Sequence, residues 1–262
     1  MLFQREIKKN LRPFLVITLV CSILILYIVS MSKSFSSDIQ QILDMKLPKT
    51  MQHAMGLDGL DYSNPASFFS LSFSYIYLFF SIFASGLFAS IVSKEFTEKT
   101  GEYLFSMPAF RIKFILQKLA AGFLFMILWA IIIFAVSWIS FKVNISGSID
   151  MKPILLSTVA WFIGGTAFAS VAFFMSSFLR RAKTISGASI ALVMLMYMLQ
   201  LVISFKDSLS FVKYISPFDW FKGSEIINTG QLSIEYCLVA IGISIVCFTV
   251  GVYRFKRKDV LI

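Results

Sequence analysis

Residues that carry chemistry are scarce in this chain. One histidine, His53, and three cysteines, Cys21, Cys237 and Cys247, are spread over 262 residues. A lone histidine in a polar loop cannot supply paired metal ligands, and no H-E-x-x-H occurs. The cysteines lie in or at apolar runs without metal-site or disulfide-framework spacing, so they read as buried free thiols. The nucleophile elbow G-x-S-x-G and the phosphate-binding G-x-x-x-x-G-K-[ST] are both missing. The expectation is a chain without catalytic residues, metal or its own nucleotide site. Proline is sparse too: positions 13, 48, 65, 108, 153 and 217 all fall in loops or at the ends of apolar runs. Straight helices follow, which argues against the broken-helix ion sites of many secondary transporters. The middle third of each run holds no Asp, Glu, Lys or Arg, whereas proton and ion relays need such groups.

Long hydrophobic stretches are abundant instead. Hydrophobic residues make up 58% of the chain, 29 of them Phe, and mean hydropathy is +0.81. Soluble domains run at about 45–50% apolar, so lipid replaces a water-excluded core here. About 20 apolar residues cross a bilayer as a helix. Six runs qualify, about 14–31, 68–92, 114–141, 153–179, 184–205 and 236–253. The fold class is therefore all-α: a single polytopic transmembrane domain over 1–262 with six spans. Residues 1–12 are basic, with Phe3, Ile7 and Leu11 on one stripe, and predict a separate interfacial helix. Cleavage as a signal peptide is disfavoured, because the apolar run is long and no clean small-x-small site follows it. Residues 32–67 form a polar loop in which 35–45 can make a short helix. Residues 206–235 form an aromatic loop with one or two short helices dipping into the membrane interface.

The net charge of +10 suggests nucleic acid, but the cations flank apolar runs rather than cluster as a groove would require. They read as an orientation signal. With both termini inside, the inner segments hold sixteen Lys and Arg against five acids, and the outer segments eight against nine. Both termini and the loop between the second and third runs are thus expected in the cytoplasm.

That loop is the most charged short stretch, KEFTEKTGEYLFSMPAFR. At about 100° per residue, Glu95, Glu98, Lys99 and Glu102 share one helical face, and Phe96, Thr100, Tyr103, Leu104 and Met107 the other. Pro108 is expected to stop this helix, 94–107. An amphipathic helix resting on headgroups accounts for the spacing as readily as one that docks a partner. An acidic face repelled by anionic lipid favours the partner. Small-x-x-x-small steps occur at Ser85, Gly86, Ala89 and Ser90, at Gly165 with Ala169, and at Gly187 with Ala191. Met194, Met198 and Gln200 gather in the fifth run, where contact with lipid, cargo or another subunit is open.

The acidic start at Glu95 and Glu98, the Thr100-Gly101 step, Glu102, Leu104, Pro108 and Arg111, with Ser216-Pro217-Phe218 and the Gly251-to-Asp259 end, form a pattern. It resembles the permease subunits of type-2 ABC exporters, the ABC-2 membrane family. The resemblance implies a cytoplasmic coupling helix whose Glu95, Glu98, Thr100, Gly101, Glu102, Leu104, Pro108 and Arg111 contact a separate ATPase subunit. ATP and Mg would be bound by that partner. It further implies a second permease copy or paralogue, and an outer gate from Pro217, Phe218, Trp220 and Phe221. The second and fifth spans would line the central interface, with Met194, Met198 and Gln200 as cargo or permease–permease contacts. The cargo implied is apolar or amphipathic (peptide, drug or lipid), moved out across a cell membrane, in a bacterial setting. The alternative is a non-transport membrane scaffold or immunity component, distinguished by whether an ATPase co-purifies.

Overall fold

The six apolar runs become six long helices in the computed structural model, which describes residues 2–44, 65–97, 108–144, 151–178, 182–205 and 214–257. They are α1 (Leu2–Asp44), α2 (Pro65–Thr97), α3 (Pro108–Asn144), α4 (Lys152–Phe178), α5 (Ala182–Phe205) and α8 (Ile234–Arg257). Two short helices, α6 (Pro217–Trp220) and α7 (Gly223–Thr229), lie between α5 and α8. No strand occurs among the described residues. All six long helices have the length and apolarity to cross a membrane, so the protein is an all-α multi-pass membrane protein.

Three boundaries differ from the sequence expectation. Residues 2–12 are not a separate interfacial helix: they run into the first span as one 43-residue helix with Pro13 inside it. At 1.5 Å per residue this helix is about 65 Å long, twice the hydrocarbon thickness. Pro13 faces outward, where its ring needs no room among the helices. The same helix takes in residues 32–44, expected as a loop with a short helix at most. Lys94–Thr97, expected to begin the coupling helix, is the last turn of α2, and Lys94 there complements the negative helix end. Pro108 opens α3, and the segment that it was expected to close, 98–107, lies outside the described residues. A helix start is the favoured helical place for proline, whose missing N–H has no carbonyl to reach in a first turn. Pro65 opens α2 and Pro217 opens α6 in the same way.

The centre of the bundle is α2 against α4. Of the apolar window of each, 61% is buried, against 17% for α5 and for α8, so α2 and α4 form the core and α5 and α8 the flanks. α1 and α3 pair with each other and against α2, α5 packs on α2, and α8 packs on α4. Close approach of α2 and α4 depends on two glycines. A Cβ on Gly164 would lie 1.8 Å from the Tyr77 hydroxyl, and one on Gly165 would lie 2.3 Å from the Phe80 ring. Phe80 stacks on Trp129 of α3 at 4.0 Å, and Trp129 meets Trp161 of α4 edge-on at 6.0 Å. Three central helices thus share one aromatic layer. α8 is held by Phe173, whose ring lies 5.6 Å from Phe248 and 5.4 Å from Phe255. Hydroxyls in the spans donate to carbonyls one turn back, Thr18 to Phe14 at 2.7 Å and Ser157 to Pro153 at 2.8 Å, and need no water.

Of the small-residue steps, Ser85, Ala89 and Ser90 are buried, as are Gly165 and Ala169. Gly187 and Ala191 are exposed on α5, and a Cβ on Gly187 would meet nothing within 4 Å.

Candidate functional site

The helix ends that carry both termini hold a buried polar cluster. Glu6, one and a half turns into α1, and Lys118, in the third turn of α3, are 4% and 2% exposed. Lys118 Nζ lies 2.7 Å from Glu6 Oε1 and donates at 2.8 Å to the carbonyl of Ile91 in α2. Asn10 Nδ2 donates to the other Glu6 oxygen at 3.2 Å and to the Glu6 carbonyl at 3.0 Å. Asn10 Oδ1 in turn accepts from Lys94 Nζ at 3.4 Å. The Lys118 ammonium also sits 5.0 Å from the centre of the Phe114 ring. Both carboxylate oxygens are therefore engaged, and three helices contribute to one closed ring of polar contacts.

This ring brackets the predicted coupling segment. α2 leaves the cluster at Lys94 and ends at Thr97, and α3 returns from Pro108 to Lys118. Glu95 belongs to the last turn of α2, and Pro108 and Arg111 to the first turn of α3. Glu98, Thr100, Gly101, Glu102 and Leu104 fall in 98–107, outside the described residues. Sequence reasoning counted Glu6 and Lys118 only as orientation charges. The signal that finds Lys118 is its place four residues inside the 114–141 apolar run, because an ionisable group there needs a partner. Glu6 carries no comparable signal among four cations.

At the opposite end of the bundle, residues 214–233 fold back onto the helices. Tyr77 of α2 donates its hydroxyl to the Pro217 carbonyl at 3.2 Å, and Ser216 donates to the Met196 carbonyl of α5 at 3.3 Å. The Phe218 ring sits 4.6 Å from Tyr77, 5.2 Å from Phe168 and 5.6 Å from Tyr197. Trp220 donates to the Tyr214 carbonyl at 3.1 Å and stacks on Tyr236 at 6.1 Å. Lys222 pairs with Asp219 at 3.0 Å, and a Cβ on Gly223 would lie 2.6 Å from Phe73, so this backbone is seated directly on α2. Gly230, at φ 61°, ends α7 by donating to the Ile226 carbonyl at 2.9 Å.

A family model described as "Protein of unknown function (DUF2705)" matches residues 19–261. The chain belongs to the DUF2705 family. No curated protein matches it. The match spans Lys94, Lys118 and the folded-back segment, while Glu6 and Asn10 lie ahead of it.

Among the described residues of this DUF2705 chain, the sequence-predicted groups lie in separate places, as three distinct sites would. The four candidate gate residues do come together, but Phe218, Trp220 and Phe221 are buried among the chain's own helices and Pro217 is half-buried. In this arrangement they pack against the end of the bundle, with Trp220 also lining a cavity of about 250 Å³ beside Lys222 and Glu225. Met194 and Met198 stand exposed on α5 at 38% and 48%, beside Leu195 and Val202, with Gln200 half-buried. The same helix turns Ile185, Ser189 and Val193 inward. The expected pairing of second and fifth spans thus joins unlike elements: α2 is the interior hub and α5 a flank with a free apolar face. Among the described residues no group of three or more His, Cys, Asp or Glu gathers to hold a metal ion, and Cys21, Cys237 and Cys247 are free thiols.

Proposed function

We propose that this DUF2705 protein is the membrane-spanning permease subunit of an ATP-driven exporter of the type-2 ABC kind. It moves an apolar or amphipathic cargo out of the cytoplasm, and a separate ATPase, holding ATP and Mg, supplies the energy. The observation that carries this reading is the double attachment of α2. One end of α2 leads into 98–107 and is tied to α1 and α3 through Ile91 and Lys94. The other end is tied to the folded-back aromatic segment through Tyr77. A force applied at 98–107 is delivered to a buried, stiff helix and reaches the far end. The amphipathic, acidic character of that segment suits a protein partner with basic residues. A second permease copy or paralogue would cover the exposed face of α5 around Met194 and Met198. ATP hydrolysis belongs to the partner on this reading, since no catalytic or P-loop motif occurs in this chain.

Two measurements test it. Gly101→Trp should abolish recovery of an ATPase with the purified permease, because bulk there blocks close approach of a partner's backbone. Glu98→Lys with Glu102→Lys should weaken recovery and make it salt-sensitive. Unchanged ATPase recovery in Gly101→Trp would remove 94–107 as the coupling element. Orientation is tested by single cysteines in a cysteine-free background. Positions 53 and 207 should label with an impermeant thiol reagent in intact cells, and position 99 should label only after permeabilisation. The reverse pattern would invert the topology that the charge bias supports.

A further inference from the structure

Two oppositely charged side chains buried together at the end of a membrane bundle are poorly explained by stability alone. Exchanging such a pair for apolar residues of similar size is often neutral or stabilising, because desolvation offsets the attraction. What the pair adds is geometry. Apolar side chains let helices slide and rotate against one another, whereas the contacts of Glu6 and Lys118 hold at one register only.

The ring closes through three helices. Glu6 and Asn10 of α1 hold Lys118 of α3; Lys118 holds the Ile91 carbonyl of α2; Lys94 of α2 returns to Asn10. Both stems of the 98–107 segment are bound to α1 this way. Further along α1 the packing is aromatic, and such contacts slide more easily. Phe14, one turn beyond Asn10, packs against Phe125 at 5.0 Å and Phe83 at 6.1 Å.

We propose that Glu6 and Lys118 are positioning residues. They lock the first turns of α1 to the two stems of 98–107, so that an ATP-driven displacement of that segment moves α1, α2 and α3 as one body. This rests on the exporter reading of 98–107 and adds α1 to the parts that its ATPase moves. Gln at either position breaks the ion pair but keeps size and polarity. Exchanging the two charges keeps an attraction in the same place.

The experiment is hydrogen exchange on the full chain in nanodiscs, alone and with its co-purified ATPase, before and after addition of ATP and Mg. In the chain alone, Glu6→Gln and Lys118→Gln should each speed exchange in 2–12, 91–97 and 108–118 together, by about tenfold. The exchanged pair Glu6→Lys with Lys118→Glu should reverse part of that increase in 2–12 and 108–118, while 91–97 stays fast because a carboxylate at 118 cannot donate to the Ile91 carbonyl. In the complex, ATP should alter exchange of all three segments in the native protein. In the Gln variants it should alter only the two stems, with the ATPase still bound. Lys118→Arg should restore the response of 2–12. Unchanged exchange in the Gln variants overturns the lock whether or not an ATPase is present. A response of 2–12 that survives in the Gln variants overturns the positioning role. Faster, linked exchange in a chain that recovers no ATPase keeps the lock, and it removes the exporter reading and the ATP-driven motion with it.

Discussion

Gly164→Val should leave little folded protein, and Gly164→Ala should already lower thermal stability markedly. A Cβ at this position lies 1.8 Å from Tyr77 Oη and 2.5 Å from Cζ, well inside contact distance. The ring cannot swing aside cheaply. Tyr77 is 1% exposed, its hydroxyl is given to Pro217, and its ring is packed on Phe218. Forced overpacking costs about 1–3 kcal/mol where neighbours can shift, and a neighbour pinned at both ends puts valine at the top of that range. Membrane context sharpens the effect. Lipid tails are as apolar as side chains, so helices associate by close packing, and the α2–α4 contact is lost when they are held apart. Gly187→Val is the control, because a Cβ there meets nothing within 4 Å. The readout is the temperature at which detergent-solubilised protein leaves the monodisperse peak. Tyr77→Ala should recover part of the loss in Gly164→Ala by opening the space the methyl needs. Equal stability of Gly164→Val and Gly187→Val would mean that α2 and α4 do not meet here.

Lys118→Met has the second large expected effect. It leaves the Glu6 carboxylate 95% buried on its side chain with Asn10 as its side-chain donor. Breaking one member of a buried pair costs about 3–5 kcal/mol, most of it the uncompensated charge. Glu6→Leu strands an ammonium that retains the Ile91 carbonyl, so its cost should be the smaller of the two. The double change Glu6→Leu with Lys118→Met removes both charges and should recover most of the stability. The cycle of four proteins, followed by the same thermal readout, gives the coupling directly. Additive losses in the double variant would show that the two side chains do not interact in the membrane-embedded protein.

Much of the fold was legible, and for one reason. A transmembrane span is a local property: its length answers to bilayer thickness and its composition to lipid. The six runs therefore appear as six helices, each covering its expected span to within a residue, with the first running well past it at both ends. The aromatic segment was also legible as one or two short helices, from its aromatics gathered around Pro217. Local breakers were the weaker guide. Pro13 reads as a boundary, yet α1 continues through it, giving up the hydrogen bond that its missing N–H would have made one turn back. Pro108 reads as a stop for what precedes it and is also a start, because its ring suits the first turn of the next helix.

The candidate site was legible only in part. Residues 94–107 stood out by charge against their apolar flanks, and Lys118 by its depth in an apolar run. Glu6 was hidden because an acid among interfacial cations looks like any solvated charge; its role depends on a partner 112 positions away. Phe218 and Trp220 read as exposed interfacial aromatics because aromatic residues favour that depth in any membrane protein. They are core residues here since Tyr77, Phe168 and Tyr197 surround the Phe218 ring.

By itself, then, the amino-acid sequence determined the all-helical class, the number of spans, the uneven spread of charge between the segments that join them and the charged stretch at 94–111. Each follows from runs of neighbouring residues meeting lipid or water. Only the tertiary structure decided that α2 and α4 form the centre and that Gly164 and Gly165 let them close. It alone joined Glu6 to Lys118 and turned the aromatic loop inward. Those outcomes depend on which helix faces meet, and residues far apart in the chain settle that by shape and charge at distances of a few ångströms.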